Sequence, residues 1–188
     1  MKRLCVFCGS SDGAQEVYRQ QCQVLADAMA TREIDLVYGG ASIGLMGTIA
    51  DSVLAHGRKA IGVIPEHLQN HEISHSGLSE LLVTTDMHQR KAKMAELSDG
   101  FVALPGGIGT LEELFEIATW QQLGLHQKPV GILNIDHYYD SLLEFLNHSV
   151  KEKFFKRHHL DNLLVSSDAD TLLDQMIGFS ESPEKFCN

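Results

Sequence analysis

Short apolar runs alternate with longer stretches of helical period along most of this chain. The runs at 4–7, 34–37, 59–64, 81–83, 99–103, 129–133 and 163–165 are rich in Val, Ile and Leu. Such runs read as strands buried on both faces of a parallel sheet. Between them, residues 14–32 place Val17, Leu25, Ala28 and Met29 at helical spacing, and the stretch after Gly47 does so with Ile49, Val53 and Leu54. Residues 86–98 carry Met87, Arg90, Lys91, Met94 and Leu97; Leu111, Leu114, Phe115, Ala118 and Leu123 follow with the same period. Further helices are expected over 138–153 and 169–177, with Asp168 and Asp170 as helix-start residues. The polar segment 66–79 has no clean period and reads as a loop or short irregular helix. Residues 179–188 read as a mobile tail. Strands alternating with helices predict an α/β fold, a single Rossmann-like domain over 1–188 with a doubly wound, mostly parallel sheet flanked by helices.

The 188 residues suit one domain with a substantial core. A formal net charge of −10 argues against a nucleic acid or an anionic membrane as the main partner. No apolar run reaches the length of a membrane span. Gly9-Ser10-Ser11-Asp12-Gly13 stops the first apolar run short of a signal-peptide core, so a cytoplasmic protein is expected. The 4 cysteines do not suggest a disulfide scaffold. Cys5-x-x-Cys8 has redox spacing, but Cys5 falls inside a strand and no second pair completes a zinc ribbon.

Three loops follow strands and therefore gather at one edge of the sheet: Gly9-Ser10-Ser11, Gly39 to Gly47, and Gly106 to Thr110. The third, within Leu104-Pro105-Gly106-Gly107-Ile108-Gly109-Thr110-Leu111-Glu112-Glu113, is a strand–glycine turn–helix junction. Its glycines let backbone N–H groups close on an anion at a helix N-terminus, and a phosphate is the natural guest. The same residues also fit a capping box, with Thr110 as N-cap and Glu113 reaching back to it. None of the loops has the G-x-G-x-x-G or G-x-x-x-x-G-K-[ST] spacing, so neither dinucleotide nor ATP chemistry is signalled. A mononucleotide or sugar phosphate fits better.

Several motifs resemble one family. Pro105 to Glu113 matches PGGxGTxxE, Tyr38 to Gly47 matches YGGxxxGLMG, and Met87 to Met94 matches MHxRKxxM. Cys5 to Ser11 and Thr119-Trp120 also fit. The resemblance, over roughly residues 3–150, is to the LOG (Lonely Guy) family of cytokinin-activating phosphoribohydrolases. It implies hydrolysis of the N-glycosidic bond of an adenine-type nucleoside 5′-monophosphate to free base and ribose 5-phosphate, without a cofactor or metal. Many bacterial relatives carry the label lysine decarboxylase, yet no residue is marked as a pyridoxal-phosphate lysine.

By the same match Arg90 and Glu113 are the catalytic pair. Glu113 would stabilise an oxocarbenium-like sugar and activate water, and Arg90 would hold substrate and assist departure of the base. Gly106, Gly107, Ile108, Gly109 and Thr110 would cradle the phosphate, and Leu111 and Glu112 fall at substrate-binding positions. Ile108 falls at a variable position of the motif. Lys91 would be a second cationic contact, Met87 would pack on the purine, and Glu72 and Thr119 fall at substrate-contact positions. Glu116, one turn past Glu112, could reach ribose hydroxyls or stand on an exposed face. The family also implies a homodimer with sites near the subunit contact. By position alone Arg90 fits a solvated helix face, and Met87 a core methionine.

Two rival functions stand beside this one. His71-Glu72-Ile73-Ser74-His75 fits the H-E-x-x-H zinc-hydrolase pattern, although it lies in a short polar stretch without a third ligand nearby. A non-catalytic nucleotide or molybdenum-cofactor carrier is the other, since relatives of this fold include such carriers. The presence of both Arg90 and Glu113 favours an enzyme. His158-His159 reads as part of a solvated basic run.

Overall fold

The structure, a computed structural model, describes residues 1–69 and 74–180. Its strands are β1 (Arg3–Phe7), β2 (Asp35–Tyr38), β3 (Ala60–Pro65), β4 (Glu80–Thr84), β5 (Gly100–Ala103), β6 (Val130–Leu133) and β7 (Leu163–Ser166). Its helices are α1 (Glu16–Thr31), α2 (Gly44–Ala55), α3 (Glu66–Gln69), α4 (Met87–Leu97), α5 (Ile108–Gln122), α6 (Asp140–Lys151), α7 (Arg157–Asp161) and α8 (Ala169–Ser180). All strand pairings are parallel, in the order β4-β3-β2-β1-β5-β6-β7. The winding reverses at β1, which pairs with β2 on one side and β5 on the other. The carboxyl ends of β1 and β5 therefore open a crevice at a topological switch point, where ligands of such sheets bind.

Alternation along each strand sorts the core into two layers. Leu4, Val6, Leu36, Tyr38, Val102 and Leu104 pack with α1, α2 and α8. Cys5, Phe7, Val37, Phe101 and Ala103 pack on the other face with Met94 of α4 and Leu114 and Ile117 of α5. Both faces of the central strands are covered, which is why these runs are apolar throughout.

Several expectations shift. The helix expected over 138–153 begins at Asp140, after a 3-10 turn at Ile135–His137 in which Asp136 and His137 hold φ of 48° and 61°. The basic run around His158-His159 forms α7, in which His158 is exposed as expected, His159 is half-buried and Leu160 is buried. The tail reading fails at its first residues, because α8 continues to Ser180 and Phe179 is buried against the core. Residues 181–188 lie outside the described residues. Asp168 does start α8, accepting a hydrogen bond from the Thr171 N–H at 2.8 Å, and Asp86 caps α4 in the same way through Gln89. No helix among the described residues is long and apolar enough to cross a membrane.

Candidate active site

The three glycine loops meet around Gly9. Its N–H donates to the Pro105 carbonyl at 3.0 Å, and its own carbonyl accepts from the Met46 N–H at 3.4 Å. Gly44, at φ +58°, lies so close to the Ser10-Ser11 backbone that any Cβ would overlap it. The loop after β1 is thus wedged between the start of α2 and the turn into α5. Gly9 to Gly13, Tyr18, Leu45, Pro105 to Gly107 and Tyr138 line a cavity of about 310 Å³ at this junction.

The turn into α5 corrects the capping-box reading. The N-cap is Gly107, which has no side chain to cap with, and Thr110 lies buried inside the first turn. The first intrahelical bond runs from the Leu111 N–H to the Gly107 carbonyl. The N–H groups of Ile108, Gly109 and Thr110 therefore have no acceptor within their own helix, and the helix dipole adds partial positive charge there. A Cβ at Gly107 or Gly109 would meet nothing within 4 Å, so open volume lies beside these groups. Gly106 differs: a Cβ there would collide with the Thr110 side chain and sit 2.9 Å from the Gly9 nitrogen. Ile108 is 86% exposed at the head of the helix, whereas Leu111 packs against the core.

Arg90 is not on a solvated face. It is 6% exposed, and its Nε donates to the Val63 carbonyl at 3.0 Å and its Nη2 to the Gly39 carbonyl at 3.2 Å. Nη1 lies 3.7 Å from the Met87 sulfur, so Met87 flanks the guanidinium. The carbonyls that hold Arg90 belong to β3 and the loop after β2, at the same sheet edge as the glycine turn. Glu113 is partly buried in the second turn of α5. Arg90 and Glu113 both reach the Cys5 thiol electrostatically: burial pushes its pKa up, Glu113 pushes it further, and Arg90 opposes them. Cys8 is likewise raised by burial, and Cys22 is pushed up to about 12. All three thiols are buried and unpaired, which suits packing rather than redox work.

Lys91 is buried and forms ion pairs with Glu112 at 2.5 Å and Glu116 at 2.9 Å. Burial alone would lower the Lys91 pKa, but the hydrogen bonds from both carboxylates raise it above the ordinary lysine value. One cation faces two anions, so this cluster is net negative. It suits a developing cation or sugar hydroxyls better than a phosphate.

The remaining predicted residues fall elsewhere. Thr119 is exposed about two and a half turns past the glycine turn on α5, beside an apolar groove lined by Leu114, Phe115, Leu146, Phe155 and Leu163. Glu72 and His71 lie outside the described residues. Both ring nitrogens of His75 are engaged, Nε2 with Asp51 at 2.8 Å and Nδ1 with the Gly77 N–H at 3.1 Å. No group of three His, Cys, Asp or Glu suited to a metal occurs among the described residues. Tyr138 and Tyr139 escaped sequence reading: their hydroxyls donate to the Gly106 and Leu104 carbonyls, each at 2.6 Å. The only sequence signal is an aromatic pair just after a strand, where it reads as an ordinary helix start.

Comparison with known proteins places the chain in a family. A family model described as "Possible lysine decarboxylase" matches residues 46–176. The label implies a pyridoxal-phosphate lysine, which needs a depressed pKa and an accessible amine. Lys91, the buried lysine beside the site, is held charged between two carboxylates and does not fit that role. The chain is 48% identical over 184 residues to the cytokinin riboside 5′-monophosphate phosphoribohydrolase LOG1 of Arabidopsis thaliana, covering 98% of this chain and 86% of that protein. It is 51% identical over 175 residues to "Probable cytokinin riboside 5′-monophosphate phosphoribohydrolase LOGL3" of Oryza sativa subsp. japonica, covering 93% and 83%. Among solved structures, the molybdenum cofactor binding protein of Rippkaea orientalis aligns with a TM-score of 0.71 at 19% identity, over 95% of this chain and 97% of that one. At that identity the likeness concerns the fold alone. The motifs at Tyr38 to Gly47, Met87 to Met94 and Pro105 to Glu113, with identity sustained over nearly the whole chain, make this protein a member of the LOG family of phosphoribohydrolases.

Proposed function

We propose that this protein hydrolyses the N-glycosidic bond of adenine-type nucleoside 5′-monophosphates, AMP or N6-modified cytokinin ribotides, to free base and ribose 5-phosphate. The observation that carries the reading is a division of charge across one sheet edge. Uncapped N–H groups and open volume stand at Gly107 to Thr110, and a net negative cluster with Glu113 beside it stands on the following turns of α5. The phosphate belongs with the N–H groups, where the helix dipole favours it. The ribose belongs with the carboxylates, which would repel the phosphate.

Cleavage then proceeds with positive charge building at the anomeric carbon. Glu113 stabilises that charge and takes a proton from the attacking water, whose hydroxide oxygen bonds to the anomeric carbon. The bond to the base breaks towards the base, which takes a proton from solvent as Glu113 returns the proton of the attacking water to solvent. Arg90, pinned by two backbone carbonyls, is fixed before substrate arrives and contributes orientation and charge rather than proton abstraction. Met87, which flanks the Arg90 guanidinium, packs on the purine in this reading. Lys91 acts through Glu112 and Glu116, setting their positions at the ribose.

The same reading carries a cytoplasmic homodimer. The reduced, buried thiols suit a reducing compartment. The apolar groove on α5 gives a second copy a face to cover, and Thr119 on its rim would then reach a site shared between subunits. The test is product analysis with AMP, isopentenyladenosine monophosphate and the matching nucleosides. Free base and ribose 5-phosphate from the monophosphates only is the expected result. Binding of AMP without cleavage would favour a carrier instead.

A further inference from the structure

The three carbonyls that lead into the glycine turn are each held by a different residue, two of them neighbours in the link before α6. Tyr139 Oη donates to the Leu104 carbonyl at 2.6 Å, the Gly9 N–H to the Pro105 carbonyl at 3.0 Å, and Tyr138 Oη to the Gly106 carbonyl at 2.6 Å. The first two grips are buried or internal to the loop junction. The third is not. Tyr138 is 43% exposed, its ring lines the cavity, and it meets Tyr18 edge-on at 5.7 Å. It hangs from the 3-10 turn whose Asp136 and His137 hold left-handed backbone, a conformation that costs energy in residues with a side chain. That turn is braced by Asn134 Nδ2 donating to Asp140 at 2.7 Å and the Tyr139 N–H donating to Asn134 at 2.8 Å.

The peptide that Tyr138 grips joins two glycines, Gly106 and Gly107. In a trans peptide the carbonyl and the N–H point in opposite directions. A hydroxyl that fixes the Gly106 carbonyl therefore fixes the Gly107 N–H away from Tyr138. No acceptor for that N–H is found among the described residues. Gly107 also has open space around its missing Cβ, and among the described residues the Tyr138 bond is the hydrogen bond made by this peptide's own polar groups.

We infer that Tyr138 is a positioning residue which, through its hydroxyl, locks the Gly106–Gly107 peptide so that the Gly107 N–H is held ready for the substrate's phosphate. This rests on the phosphoribohydrolase reading above and adds to it a residue outside the α5 turn. The lock acts on phosphate affinity and leaves the bond-breaking groups untouched, because Arg90 is held by the Val63 and Gly39 carbonyls and Glu113 stands on the following turn of α5.

Tyr138→Phe tests this, since it removes the hydroxyl and keeps the ring against Tyr18 and Tyr139. Calorimetric affinities for ribose 5-phosphate and for adenine are measured on the wild-type protein and the variant, with kcat and KM for AMP. The expected result is about tenfold weaker ribose 5-phosphate binding and a similar rise in KM, with adenine affinity and kcat within about twofold. A second readout is the Gly107 amide resonance during titration with inorganic phosphate: it moves in the wild type and not in Tyr138→Phe. Unchanged ribose 5-phosphate affinity, or equal loss for ribose 5-phosphate and adenine, overturns the role of Tyr138 alone. A wild-type protein that neither binds ribose 5-phosphate nor cleaves AMP overturns the functional reading, and the inference with it.

Discussion

Arg90 Nη2 donates to the Gly39 carbonyl at 3.2 Å, and the same nitrogen fills the space that a Cβ at residue 39 would need. The glycine is there for the arginine. Gly39→Ala should push the guanidinium off its two carbonyls and crowd the Met46 sulfur, which lies 3.1 Å from the added carbon. A misplaced catalytic group commonly costs about a hundredfold in rate, and overpacking costs about 1–3 kcal/mol in stability. Steady-state kinetics and thermal unfolding of this variant check both. A folded variant with wild-type kcat would detach Arg90 from the chemistry.

Lys91 holds Glu112 and Glu116 together from a buried position. Removing the cation leaves two carboxylates facing each other, one of them half exposed, so Lys91→Met should destabilise by about 1–3 kcal/mol after allowance for solvent screening. Adding Glu112→Gln to Lys91→Met should recover part of that loss. Denaturant unfolding of the single and double variants measures the coupling. Strictly additive effects would contradict it.

Asp99 supplies an acid-sensitive contact far from the site. Burial would raise its pKa, but the N–H groups of Lys2 at 2.6 Å and Arg3 at 2.9 Å hold it below the usual carboxylate value. A depressed folded pKa contributes stability that is complete above the unfolded value and is lost as pH falls through the folded one. The melting temperatures of wild type and Asp99→Asn should therefore differ above about pH 5, with the gap closing as pH falls below about 4 through the depressed folded value. A gap that does not change with pH would refute the assignment.

How much of this was legible beforehand depends on what kind of contact each residue makes. The parallel strands announced themselves because both their faces are buried, and the Gly106 to Gly109 turn because only glycine leaves such a mouth open. Thr110 misled, since Thr-x-x-Glu describes a capping box and also an ordinary first turn; only the backbone shows that Gly107 is the cap. The burial of Arg90 depends on carbonyls from two other segments, Gly39 and Val63, which helical spacing cannot report. Tyr138 and Tyr139 act through hydroxyls on distant carbonyls and leave no periodic trace. Phe179 was a different kind of miss. It continues the period of Leu172, Leu173 and Met176, and the end of α8 could have been read from it.

The central claim is that Glu113 serves the reaction and not merely the helix. The direct measurement is AMP hydrolysis by Glu113→Gln, with ribose 5-phosphate affinity measured on the same sample. The side chain keeps its size and loses its charge. The account predicts a fall in kcat of at least about a hundredfold, with ribose 5-phosphate affinity retained because the N–H groups at Gly107 to Thr110 are unchanged. Hydrolysis at the wild-type rate would contradict it.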